Sequence, residues 1–278
     1  MKDILRNTIR PIAVIMTSPV IGFVLVFLVE TILNIEVSKL VSALINLLVV
    51  SLIAFVLLPI RFGIPFGKLK TSEFLRKVGF YIPEKPWKHA LLGLVLAGCT
   101  LTGMLVASTL TGKYSFNLDT VNLSHLVFCL NPALWEELFY RGILMLFLLG
   151  TGKSLRQAAI IQIILFGLAH IKGFDFWSLF DTVSVVVIAI GFTYVAYKTR
   201  NLLAGIVFHY FHDALLFLVQ LPNSIDKGVI ENITFYGLLW SMVGIGCLIT
   251  KLAVDRLWGR PAKELYALGT EIPAPSTP

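Results

Sequence analysis

A chain of 278 residues that is 57% hydrophobic and 14% charged, with mean hydropathy +0.85, is not a soluble domain, which carries about 25% charged residues. Its apolar runs are about 20 residues long and lack the alternation of an outer-membrane barrel, so the class is all-α, a polytopic membrane helical bundle. In a soluble protein the net charge of +7 would suggest nucleic acid; here basic loops on one membrane face account for it, and no nucleic-acid partner is expected. Cys99, Cys129 and Cys247 lie in apolar segments, form no CxxC and are odd in number. They read as small hydrophobes rather than disulfides or metal ligands.

From the N-terminus, Lys2, Arg6 and Arg10 precede an apolar run over Ile12–Val29. That run is too long for a signal-peptide core and no small-x-small site follows, so it is the first span. Eight transmembrane helices are expected at about 11–33, 39–60, 87–110, 122–149, 154–171, 177–197, 202–221 and 233–256. The fifth is near the lower limit for crossing hydrocarbon. With a cytoplasmic N-terminus, eighteen of the 23 lysines and arginines fall in cytoplasmic segments and four on the other side, with Arg141 inside a span. This asymmetry predicts an integral multi-pass protein with both termini cytoplasmic. The basic stretch from Arg61 to Lys88 reads as a cytoplasmic connector; its segment Thr71–Val78 has the alternative of a short amphipathic interfacial helix. A single transmembrane domain over 1–260 and a disordered tail over 261–278, rich in proline, complete the layout. No glycine-rich phosphate loop, internal repeat or lipidation box occurs.

The polar residues inside the spans carry the chemistry. The fourth span contains Glu136-Glu137-Leu138-Phe139-Tyr140-Arg141, two adjacent carboxylates and an arginine where an ionised group costs several kcal/mol. On a helix Glu137 and Arg141 share a face at i,i+4 and form an internal ion pair. Glu136 has no intrahelical cation and is the carboxylate left to act. The fifth span presents Phe166-x-x-x-His170. The seventh presents His209-Tyr210-Phe211-His212-Asp213, in which His209 and Asp213 point the same way and His212 shares part of that face. A carboxylate and a neutral imidazole can jointly deprotonate a water, and a second histidine can stabilise an oxyanion. The rival reading is a zinc site of Glu136, His170 and His209, although neither HExxH nor the paired ExxH of di-iron bundles occurs. His89 and His125 near span ends, Asp181 and Glu30 read as solvated or interfacial. Ser184 and Ser241 read as bonded back to their own helices.

Glu136-Glu137-x-x-x-Arg141, Phe166-x-x-x-His170 and His209-x-x-x-Asp213, in this order on three spans, resemble the three motifs of the CAAX protease and bacteriocin-processing family of intramembrane endopeptidases. This family includes the type II CAAX prenyl endopeptidases. The resemblance covers about residues 120–220. It implies proteolysis within the membrane, with Glu136, together with Glu137, and His170 activating water, and His209 and Asp213 forming the oxyanion site. It implies no required metal, with zinc on Glu136, His170 and His209 as the alternative. The expected partners are membrane lipid and a membrane-associated or prenylated peptide or protein; the reaction is removal of the C-terminal tripeptide of a prenylated CAAX protein or, alternatively, peptide maturation or bacteriocin self-immunity. The third motif often ends in Asn; here it ends in Asp213, and an ionised aspartate cannot donate to an oxyanion. Asp213 is therefore protonated, or orients His209, or ligates a metal. The span directions put Glu136 and His170 toward the outer side, but His209 only about 10 Å from the inner start of its helix. A non-catalytic scaffold, immunity factor or transporter that keeps a buried polar cluster is the competing function.

Overall fold

The computed structural model describes residues 9–57, 71–111, 115–116, 122–216, 219–220 and 229–258; the expected tail over 261–278 lies outside them. Ten α-helices lie among the described residues: α1 Arg10–Leu33, α2 Lys39–Leu52, α3 Thr71–Lys77, α4 Pro86–Thr111, α5 Leu123–Glu136, α6 Met145–Gly150, α7 Leu155–Ala169, α8 Phe176–Thr199, α9 Leu203–Leu216 and α10 Val229–Trp258. A two-residue antiparallel pairing of Ser115–Phe116 (β1) with Val219–Gln220 (β2) is the only strand contact among them.

Local chemistry sets the helix ends. Asn34 turns left-handed (φ 50°) after α1, and the Glu30 carboxylate accepts from the Val37 N–H at 2.9 Å. Ser38 caps α2, Asn122 caps α5, and Ser154 with Gln157 forms a reciprocal capping box on α7. Each satisfies N–H groups that a helix start leaves unpaired.

Among the described residues, five helices are long and apolar enough to cross a membrane: 10–33, 39–56, 86–111, 178–199 and 229–258. The other three expected spans depart from regular crossings. The fourth runs helically from Leu123 to Gly150, but its centre, Glu137–Leu144, is wound as a π-helix. Helices α7 and α9, of 15 and 14 residues, are only about 22 Å long at 1.5 Å per residue. The expectation of eight spans thus becomes five full-length candidates, one π-interrupted rod and two short helices. Proline and the polar residues at these places mark irregular backbone, which hydropathy alone does not resolve.

The core centres on the interrupted rod. Leu138, Phe139, Ile143 and Leu144 are at most 1% exposed and pack with Phe74, Val78, Phe166 and Leu202. Helix α2 is tied to α5 by polar contacts, Asn46 Nδ2 donating to Asn131 Oδ1 (3.0 Å) and Asn131 Nδ2 to Ala43 O (3.3 Å), and to α1 by Asn46 Nδ2 donating to Pro19 O (3.3 Å). Helix α3 lies with Phe74 buried in the core and Arg76 and Lys77 exposed. Its apolar side faces protein rather than lipid.

The α8–α9 turn is recessed into the bundle. Leu202 N–H donates to Gly79 O (2.9 Å) and Asn201 Nδ2 to Tyr81 O (2.7 Å), which binds this turn to the α3–α4 connection. Both lie beside Gly142: a Cβ there would sit 2.9 Å from Val78 O and 3.4 Å from Leu202 Cδ1. Gly142 is about 12 Å along the rod from Gly150. Helix α9 therefore starts well inside the bundle, and this removes the depth conflict read from sequence. His209 lies about 10 Å beyond Leu202, deep enough for its ring to reach Glu136, which His170 also approaches. The three meet at one level because one helix begins late.

A Cβ at Gly142 meets backbone, which cannot swing aside. Gly142→Ala is expected to cost about 2 kcal/mol by overpacking, read as a lowered midpoint of thermal unfolding in detergent. An unchanged midpoint would remove the recessed turn as a packing constraint.

Candidate active site

Four elements converge on the site. The end of α5 and the following π turn supply Glu136, Glu137 and Arg141. The turn after α7 supplies His170, and α9 supplies His209 and Asp213. A π-helix is rare, appears mostly as short insertions and is frequent at functional sites. Here it begins at the residue after Glu136.

Glu137 and Arg141 are the buried foundation. Arg141 Nη1 lies 3.1 Å from Glu137 Oε1, and both side chains are fully buried. The guanidinium carbon stands 3.8 Å above the Phe166 ring centre and 5.3 Å from that of Phe192, so aromatic faces cover a cation that burial has stripped of water. The same Glu137 Oε1 lies 3.3 Å from His209 Nδ1. Glu137 thus ties its own helix to α9.

Glu136 faces the opposite way, toward two imidazoles. Its Oε2 lies 3.4 Å from His170 Nε2 and 3.7 Å from His209 Nε2. That oxygen is buried and has no hydrogen-bond partner in the chain, a costly arrangement for a carboxylate unless it serves a ligand. His170 Nδ1 lies 2.8 Å from Phe166 O. A carbonyl only accepts, so Nδ1 carries the hydrogen and a neutral ring presents its lone pair at Nε2. A carboxylate oxygen and a basic nitrogen 3.4 Å apart can together accept both protons of one water. His209 differs, because both of its nitrogens face carboxylates: Nδ1 that of Glu137, and Nε2 those of Glu136 and Asp213, whose Oδ2 is 3.8 Å away. The side chains of Glu136, His170 and Asp213 are 21–27% exposed, and that of His209 is 9% exposed.

Six sequence candidates, Glu136, Glu137, Arg141, His170, His209 and Asp213, are thus brought together. His212 is not: its ring stacks on Phe208 at 5.3 Å. His89 is buried rather than interfacial, with its ring edge against Trp258 at 5.0 Å. Asp181 is half-buried rather than solvated and accepts from Tyr236 Oη at 2.5 Å. Ser184 and Ser241 donate back to Phe180 O and Gly237 O. Among the described residues, no group of three or more His, Cys, Asp and Glu is found as a candidate metal site.

Two contributors had no sequence signal of their own. Phe192 becomes a neighbour of Arg141 only through the packing of α8. Gly205 faces Glu137 across the helix interface, where a Cβ would lie 2.5 Å from Oε2. Gly205→Ala therefore has to displace a buried, ion-paired carboxylate. It is expected to destabilise by about 2 kcal/mol or more, whereas Gly98→Ala, with nothing within 4 Å, leaves the thermal midpoint unchanged. Equal behaviour of the two variants would sever Gly205 from the site.

The family model described as "Type II CAAX prenyl endopeptidase Rce1-like" matches residues 119–215. Comparisons with curated proteins and with solved structures find no match. The matched stretch holds all six clustered residues and the short helices that bring them to one depth. Over this stretch, about a third of its length, the chain is similar to the type II CAAX prenyl endopeptidases, in agreement with the motifs that resemble the CAAX protease and bacteriocin-processing family.

Proposed function

We propose that the protein is an intramembrane endopeptidase that hydrolyses a peptide bond by attack of a water activated between Glu136 and His170. Its substrate is the C-terminal segment of a prenylated CAAX protein, from which the last three residues are removed. The observation that carries this reading is the buried, unpartnered Oε2 of Glu136 facing His170 Nε2.

In this mechanism Glu136 and the Nε2 lone pair of His170 hold the water, and one of them takes its proton as the oxygen attacks the scissile carbonyl carbon. The carbonyl π bond becomes an oxyanion, which His209 stabilises from Nε2. With Nδ1 donating to Glu137, a hydrogen on Nε2 requires the imidazolium form, so the carboxylates around His209 suit it to this role. Asp213 acts through His209 as a positioning residue, which resolves the departure from asparagine. The C–N bond then breaks and the proton taken from water passes to the departing amine. Glu137 and Arg141 hold the site without touching the reacting atoms. The connections that carry Arg76, Lys77, Lys153 and Arg200 belong, on this reading, to the cytoplasmic face.

Full-length protein in liposomes with a farnesylated CAAX peptide tests the chemistry. Glu136→Gln and His170→Ala are each expected to lower cleavage at least about 100-fold while remaining folded. Glu137→Gln, which strands Arg141, is expected to unfold first, losing about 3–5 kcal/mol. Cleavage that persists in both Glu136→Gln and His170→Ala would defeat the assignment. Loss of wild-type cleavage with a chelator, restored by zinc, would replace it with the metal reading. A non-prenylated peptide cut equally well would remove the prenyl specificity alone. For orientation, a reporter fused after Pro278 is expected to read cytoplasmic; an external signal would invert the topology.

A further inference from the structure

A large cavity among the described residues is not lined by Glu136. It lies on the other side of Arg141, a funnel of about 860 Å³ between the π-interrupted rod, α8 and the recessed α8–α9 turn. Arg76, Lys77, Lys153 and Arg200 line it, and no described lining residue is acidic. Between these cations the wall is apolar, with Met145, Leu146 and Leu149 on the rod and Ala196 and Tyr197 on α8. The volume is in the range of sites for small ligands.

Three observations indicate what it takes. Arg76, Lys77, Lys153 and Arg200 are exposed and gather around this one cavity, whereas the Arg141 guanidinium behind them is fully buried beside Glu137. Such a set of cations suits a phosphate oxygen, which guanidinium groups bind in a forked geometry. The connections 78–81, 152–154 and 200–202 border it, and the proposed topology turns them toward the cytoplasmic headgroups. The combination of cations with an aliphatic wall suits a molecule that is anionic at one end and apolar at the other. Basic pockets between membrane helices are a recognised physical route to anionic-lipid binding.

We infer that this funnel is a binding site for the phosphate headgroup of an anionic membrane phospholipid, held by Arg76, Lys77, Lys153 and Arg200.

The test is binding, and it stands whether or not the chain cleaves peptides. The detergent-solubilised full chain is titrated with dioctanoyl phosphatidylglycerol, dioctanoyl phosphatidylcholine or inorganic phosphate, and thermal unfolding is followed. Phosphatidylglycerol is expected to raise the midpoint, with the other two having no effect. Arg76→Gln/Arg200→Gln, both exposed positions, is expected to shift the half-saturating phosphatidylglycerol concentration at least about tenfold upward. Lys153→Gln is expected to shift it about threefold and serves where the double variant folds poorly. The control Lys85→Gln/Arg156→Gln removes two exposed cations that do not line the funnel and is expected to leave binding unchanged. An equal response to phosphatidylcholine, a response to inorganic phosphate alone, or an equal loss in the control would each overturn the lipid site.

Discussion

The structure turns on one buried ion pair. Two opposite charges 3.1 Å apart with no exposed side-chain surface gain strong attraction in a low-dielectric interior, but the cost of desolvation consumes much of it. Such a pair is weak as a source of stability and strong as a constraint, since removing either partner leaves the other uncompensated. Here the constraint is spatial. Glu137 also contacts His209 on α9, Arg141 is covered by Phe166 on α7 and Phe192 on α8, and Gly205 lacks the Cβ that would push Glu137 away. Three helices are therefore held in register by one turn of backbone, and Glu136 inherits a fixed direction.

The π winding belongs to the same logic. Glu136 and Glu137 are adjacent in sequence yet serve opposite surroundings: one faces two imidazoles, the other an arginine. Widening the helix immediately after Glu136 separates these surroundings within a single turn. It also brings Gly142 against the backbone of the α3–α4 connection, so the irregular turn is packed from outside as well as charged from inside.

Much of this was legible in the chain, for local reasons. Apolar length gives helices near their observed places, and i,i+4 spacing relates Glu137 to Arg141 and His209 to Asp213 because neighbours on a helix are fixed by its period. What the chain concealed was non-local. The meeting of His209 with Glu136 depends on where α9 starts, and that is decided by Asn201 and Leu202 bonding to Tyr81 and Gly79, about 120 residues earlier. Depth counted from helix ends assumed that all ends share a plane. His89 and Asp181 were misplaced for a related reason, because their burial is set by Trp258 and Tyr236 on α10. Gly205 carried no signal, since a missing methyl group becomes meaningful only when its neighbour is known.

The shortness of α7 and α9 has a further consequence. Helices of about 22 Å cannot match a hydrocarbon layer of about 30 Å, and a bundle that mixes them with α4 and α10 presents two thicknesses to its lipid shell. A bilayer meets such a hydrophobic mismatch by thinning locally, at a modest cost per ångström. Helix α7 ends immediately before His170, so thinning beside it would bring interfacial water toward that imidazole. Membrane thickness is in this sense an ingredient of the site, supplied by the lipid and selected by helix length.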